Sequence, residues 1–118
     1  MPYLLALALT VLVEVPLYVG ALVVAGRVRP LRAATAGVAV NCATHPLLWW
    51  FLRRYTHGSA AAYWTALAVA EAAVVAVEAV LLGLLTGRRG ALPYAASFTA
   101  NAASVLAGML ATRGPVGG

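Results

Sequence analysis

The chain predicts an all-α membrane protein, a four-transmembrane-helix antiparallel bundle forming one domain, and three observations predict it. The sequence is 64% hydrophobic and only 9% charged, too apolar for a water-soluble globular domain. Its apolar residues gather into four runs, each near the length needed to cross a hydrocarbon core about 30 Å thick. The charges are also segregated. Arg27, Arg29, Arg32, Arg53, Arg54, Arg88, Arg89 and Arg113 lie in the gaps, whereas the only carboxylates, Glu14, Glu71 and Glu78, lie inside the runs.

The first span covers roughly Tyr3–Ala25, with boundaries good to about 2–4 residues here and below. A cleaved signal peptide would carry a basic n-region and an apolar core of about 7–15 residues. This run has no such n-region, is longer, and holds Glu14 midway, so it reads as a retained helix. The second span, about Ala33–Leu52, follows Pro30, placed where a missing N–H costs nothing. It carries the polar stretch Asn41-Cys42-Ala43-Thr44-His45-Pro46. Gly58-Ser59 interrupts the chain before the third span, about Ala60–Leu85, with Ser59 the expected N-cap. Gly83 and Gly87 form a small-xxx-small pair at its end. The fourth span, about Leu92–Thr112, opens around Pro93, and Gly114–Gly118 reads as a disordered tail. Short connections make sequence neighbours antiparallel neighbours in space.

Two prolines fall inside spans. Pro16 and Pro46 free the carbonyls of Leu12 and Cys42 beside the polar positions Glu14 and His45. In a membrane helix a side chain, a water or an ion satisfies such carbonyls, and a simple packing kink is the alternative account.

The net charge of +5 is spread over short loops, which suits lipid headgroups, at about 1 kcal/mol per basic residue, better than nucleic acid. Five arginines in the first and third loops against three elsewhere place both termini outside by a small margin. Trp49, Trp50, Tyr55, Tyr63 and Trp64 flank the second loop and, with Tyr3, suit an aromatic belt at one membrane face. Cys42 is the only cysteine, so no internal disulfide forms, and it reads as a packing residue. Arginine without lysine, with abundant alanine, points to a GC-rich genome and hence to a bacterial inner (cytoplasmic) membrane.

Polar residues fall on one face of each span: Thr10, Glu14 and Tyr18; Asn41 and His45 with Thr44 beside them; Glu71 and Glu78; Ser97, Asn101, Ser104 and Gly108. Four such stripes escape lipid together only by facing a common interior. Counted from the face bearing the N-terminus, Glu14, Asn41, Glu71 and Asn101 each lie eleven residues in, about 16 Å at 1.5 Å per residue. That count places Thr10, His45 and Ser104 nearer this face, and Tyr18, Glu78 and Ser97 on the far side. An acid at the centre of a membrane helix costs about 2.5–3.5 kcal/mol, so three acids call for a purpose. Neighbouring carboxylates do not both ionise readily, which suits a shared proton or a bound cation.

Three functions compete. Proton or cation transport or exchange would use Glu14, Asn41, His45, Glu71, Glu78 and Asn101, supported by Thr10, Tyr18, Thr44, Ser97 and Ser104. A structural or assembly subunit would use the same groups as interhelical glue, although three glutamates exceed what glue requires. A metal-dependent intramembrane enzyme would hold a divalent ion on Glu14, His45 and Glu71, without any His-Glu-x-x-His or Glu-x-x-His spacing to support it. The lipid bilayer is the expected surrounding, and four helices leave so little room for a pore that a homo-oligomer or larger membrane complex is expected.

Glu14 in the first span, Tyr63-Trp64 in the third and Asn101 in the fourth are similar to positions of the small multidrug resistance transporters. That resemblance implies exchange of protons for cationic drugs on the first-helix glutamate in a dual-topology dimer. It covers isolated positions. The run Asn41–Trp50 and the acids Glu71 and Glu78 depart from that pattern.

Overall fold

The computed structural model describes residues 3–112. Arg113 and the expected tail 114–118 lie outside them. Among the described residues there are four α-helices and no strand: α1 (Tyr3–Val24), α2 (Pro30–Leu52), α3 (Ala60–Thr86) and α4 (Ala91–Thr112). A single 3-10 turn, Arg53–Tyr55, follows α2. The helices pack as a square. α1 and α3 each touch both α2 and α4, and the two diagonals make no close backbone approach. The longest dimension is 43 Å, matching a bilayer of about 40–45 Å with its headgroups.

Local chemistry sets the helix ends. Pro30 opens α2, and the Ser59 hydroxyl accepts from the Ala62 N–H at 3.1 Å as the N-cap of α3. Gly87, at φ 71°, closes α3 in the left-handed conformation and donates to the Gly83 carbonyl at 2.9 Å. Gly83 has its own constraint, because an added Cβ would lie 2.7 Å from the Arg88 carbonyl oxygen. Two arginines complete this end of the bundle: Arg32 Nε of α2 donates to the Leu85 carbonyl of α3 at 2.9 Å, and Arg88 Nε, in the third loop, donates to the Gly26 carbonyl in the first loop.

α1, α3 and α4 are long and apolar enough to cross a membrane, which suggests membrane insertion. α2 is as long but falls outside this apolar class. Asn41, Thr44, His45 and Pro46 dilute its second half, and Arg32 and Thr35 its first. Large apolar side chains cover the outside, among them Leu12, Val24, Leu47 and Phe98, each more than 60% exposed. Such a surface suits lipid and would be costly in water. The prolines correct one expectation. Leu12, Pro16, Cys42 and Pro46 are all exposed, so the breaks they make lie on outward faces, away from the polar groups.

Candidate functional site

Each of the four helices turns polar residues inward, while Thr35, Thr65 and Thr99 stay exposed, and the packing makes two linked constellations of the inward ones. The first centres on Glu78, which is fully buried. Its Oε1 accepts from the Tyr18 hydroxyl at 2.8 Å and from Asn101 Nδ2 at 2.7 Å, and its Oε2 accepts from Thr44 Oγ1 at 2.5 Å. One carboxyl thus ties α3 to each of the other three helices. In the second, Glu14 Oε2 accepts from Ser104 Oγ at 2.5 Å, tying α1 to α4.

This pairing differs from the expected layers. Counting along helices placed Asn101 level with Glu14 and Glu71, but its amide engages Glu78. Two causes account for the difference. α3 has 27 residues against 22 or 23 for its neighbours, so counting from Ala60 overstates the depth of Glu78. Side chains also lean toward their own helix N-terminus. In an antiparallel bundle Glu78 therefore reaches back toward the N-terminal face while Asn101 and Thr44 reach the other way. The same opposed lean joins Glu14 to Ser104.

Between the constellations lies a cavity of about 100 Å³ lined by Thr10, Glu14, Asn41, Thr44, His45, Glu71, Glu78, Asn101 and Ser104, with Leu48, Val74 and Val105 as its apolar wall. A water needs about 10–15 Å³ of such space and two to four polar partners, so the cavity has the size and lining for a few waters or a small cation. Of the side chains expected to form the column, Tyr18 and Ser97 are the two outside the cavity lining. Tyr18 acts through Glu78, and Ser97 donates to the Val75 carbonyl at 2.9 Å. Leu48, Val74 and Val105 carried no signal in the sequence, being apolar residues within apolar runs.

Three buried polar atoms here have no hydrogen-bond partner: Glu14 Oε1, Glu71 Oε2 and His45 Nδ1. Burying a polar atom unpaired costs about 1–3 kcal/mol, more for a charged group, so three around one cavity suit a site built to receive a proton, a water or a cation. His45 belongs to an aromatic group toward the N-terminal face, 5.5 Å from the Tyr3 ring and 6.5 Å from Trp49 between centroids. Asn41 faces the cavity while its Nδ2 donates to the Gly37 carbonyl at 2.9 Å.

Two hydroxyls have more acceptors than hydrogens. Thr44 Oγ1 lies 2.5 Å from Glu78 Oε2 and 2.9 Å from the Val40 carbonyl. Ser104 Oγ lies 2.5 Å from Glu14 Oε2 and 3.0 Å from the Asn101 carbonyl. A hydroxyl donates once and accepts through its lone pairs. Each therefore donates to an ionised carboxylate, or turns to the backbone carbonyl and accepts from a protonated carboxyl. Either charge state is accommodated without moving a helix.

The possible metal set does not assemble. Glu14, His45 and Glu71 line the same cavity, but among the described residues no three His, Cys, Asp or Glu side chains cluster closely enough to hold a metal ion. Compared with protein-family models, curated proteins and solved structures, the chain matches none, and the likeness to small multidrug resistance transporters stays at isolated residues.

Proposed function

We propose that this is a four-span membrane protein that handles protons or small cations by transport or exchange, with the cavity carboxyls of Glu14 and Glu71 as the exchanging groups. The observation that carries this reading is the pair of buried, unpartnered carboxyl oxygens, Glu14 Oε1 and Glu71 Oε2, on opposite helices around one small polar cavity. The rotating hydroxyl of Ser104 gives Glu14 a partner in both charge states. His45, with its free Nδ1, connects the cavity to the aromatic group near the N-terminal face. A bacterial cytoplasmic membrane and a homo-oligomeric assembly complete this reading. Infrared difference spectra of the reconstituted protein after a pH jump test it. Carboxyl bands that respond in the wild type should be lost in part in Glu14→Gln and in Glu71→Gln. A spectrum unchanged in both variants would overturn the reading.

Assembly subunit is the second reading, and Glu78 favours it. Its three interhelical hydrogen bonds are complete, as those of a purely structural group would be. That argument reaches Glu14 only through its Oε2, tied to α4 by Ser104, and does not extend to the unpaired Oε1 of Glu14 or Oε2 of Glu71.

A further inference from the structure

Arg27, Arg29, Arg32, Arg88 and Arg89 gather at one end of the bundle, and a groove on the α2/α3 seam runs down from two of them. Its volume is about 390 Å³. Arg29 and Arg32 head it, and Leu31, Ala36, Ala39 and Leu85 make its walls apolar. Thr35 also lines it but commits its hydroxyl to the Leu31 carbonyl at 2.8 Å. The two guanidinium groups are therefore the side-chain donors left to this groove.

Depth and charge decide what fits. From Arg29 to Ala39 the groove follows α2 for about 15 Å, half of a hydrocarbon core about 30 Å thick. A headgroup at its mouth and an acyl chain along its floor match the depth of a single leaflet. Arg32 is already fixed across the seam, because its Nε donates to the Leu85 carbonyl of α3 at 2.9 Å. Its Nη donors remain for a ligand at the mouth. Among the described residues the Arg29 side chain makes no hydrogen bond, and neither arginine has an acidic partner. All three carboxylates line the polar cavity instead. A phosphodiester supplies the missing anion, and guanidinium groups bind one through paired N–H bonds. A zwitterionic lipid brings its own cation, so an anionic headgroup is the better match. The same arginines favour this end as the inner face, where anionic lipids concentrate.

We propose that the α2/α3 groove is a binding site for an anionic phospholipid, with its phosphodiester on Arg29 and Arg32 and one acyl chain laid between the helices. The site requires α2 in the bilayer but none of the exchange chemistry, so the lipid site and the exchange reading fail by separate results.

Native mass spectrometry of the purified protein, titrated with phosphatidylglycerol or phosphatidylcholine of identical chains, tests the proposal. The first phosphatidylglycerol should bind about thirtyfold tighter than phosphatidylcholine, at about fivefold per arginine. Arg29→Gln, which breaks no side-chain hydrogen bond among the described residues, should reduce that preference to about fivefold. Arg29→Gln combined with Arg32→Gln should erase it. Arg27→Gln combined with Arg89→Gln removes the same charge from the same end and should leave the preference intact. Ala39→Phe, which fills the groove below the arginines, should weaken both lipids. The deacylated headgroup alone should bind far more weakly than the lipid. Equal binding of the two lipids, a preference lost equally in the Arg27→Gln, Arg89→Gln variant, or full binding in Ala39→Phe would overturn the site. A headgroup that binds as tightly as its lipid would also overturn it, in favour of a soluble phosphodiester.

Discussion

Glu71 and Glu78 occupy one stripe of one helix, seven residues apart, and do opposite things. Glu78 accepts three hydrogen bonds from three helices, whereas Glu71 keeps an oxygen unpaired at a cavity wall. Interhelical hydrogen bonds in membranes contribute about 0.6–2 kcal/mol each, so Glu78→Ala should lower stability by about 2–4 kcal/mol in a denaturant or thermal titration. A loss below about 0.5 kcal/mol would show that the Glu78 network does not hold the bundle. Tyr18→Phe removes one of those three bonds and should cost about 1 kcal/mol by the same assay. Glu71→Gln should be near neutral for stability, because no partner is lost. The sequence made both acids legible as buried polar groups but could not distinguish them, since the partners that separate them come from other helices. Thr44 shows the same limit: it reads as a residue beside the stripe, and only packing makes it a direct partner of Glu78.

At the scale of the element, glycine positions report how closely the helices approach. A Cβ on Gly37 of α2 would meet the Tyr18 ring at 3.2 Å, whereas one on Gly20 of α1 would meet nothing within 4 Å. Gly37→Ala should therefore push Tyr18 away from Glu78 and cost about 1 kcal/mol, the low end of overpacking. Gly20→Ala should be neutral or slightly stabilising, since alanine is the better helix former. A denaturation midpoint that moves equally in both would contradict this packing. Helix number, approximate bounds, the Ser59 cap and the Pro30 start were all legible, because caps and apolar runs are local signals. The pairing levels were not. They depend on the extra length of α3 and on the opposed lean of side chains in antiparallel helices, neither of which a residue count captures.

At the scale of the whole molecule, the claim that α2 crosses the membrane is the one its hydropathy leaves open, and Cys42 tests it. This lone cysteine is exposed on the outer face of α2, near its middle. With four spans it faces lipid, so a membrane-impermeant maleimide should not label it in intact vesicles but should label it after detergent denaturation. A cysteine placed at Ser59, in the second loop, should label from one side. Rapid labelling of Cys42 in intact vesicles would mean that α2 lies outside the bilayer and would remove the four-span reading.

The central claim concerns all four helices together, that a polar cavity inside a lipid-facing bundle exchanges protons or cations. Proton flux into liposomes holding the purified protein under an imposed potential tests it most directly, with Glu71→Gln measured alongside. The account predicts flux well above the protein-free leak in the wild type, falling to that leak in Glu71→Gln while the variant remains folded. Flux that persists undiminished in Glu71→Gln, or wild-type flux no greater than the leak, would contradict it.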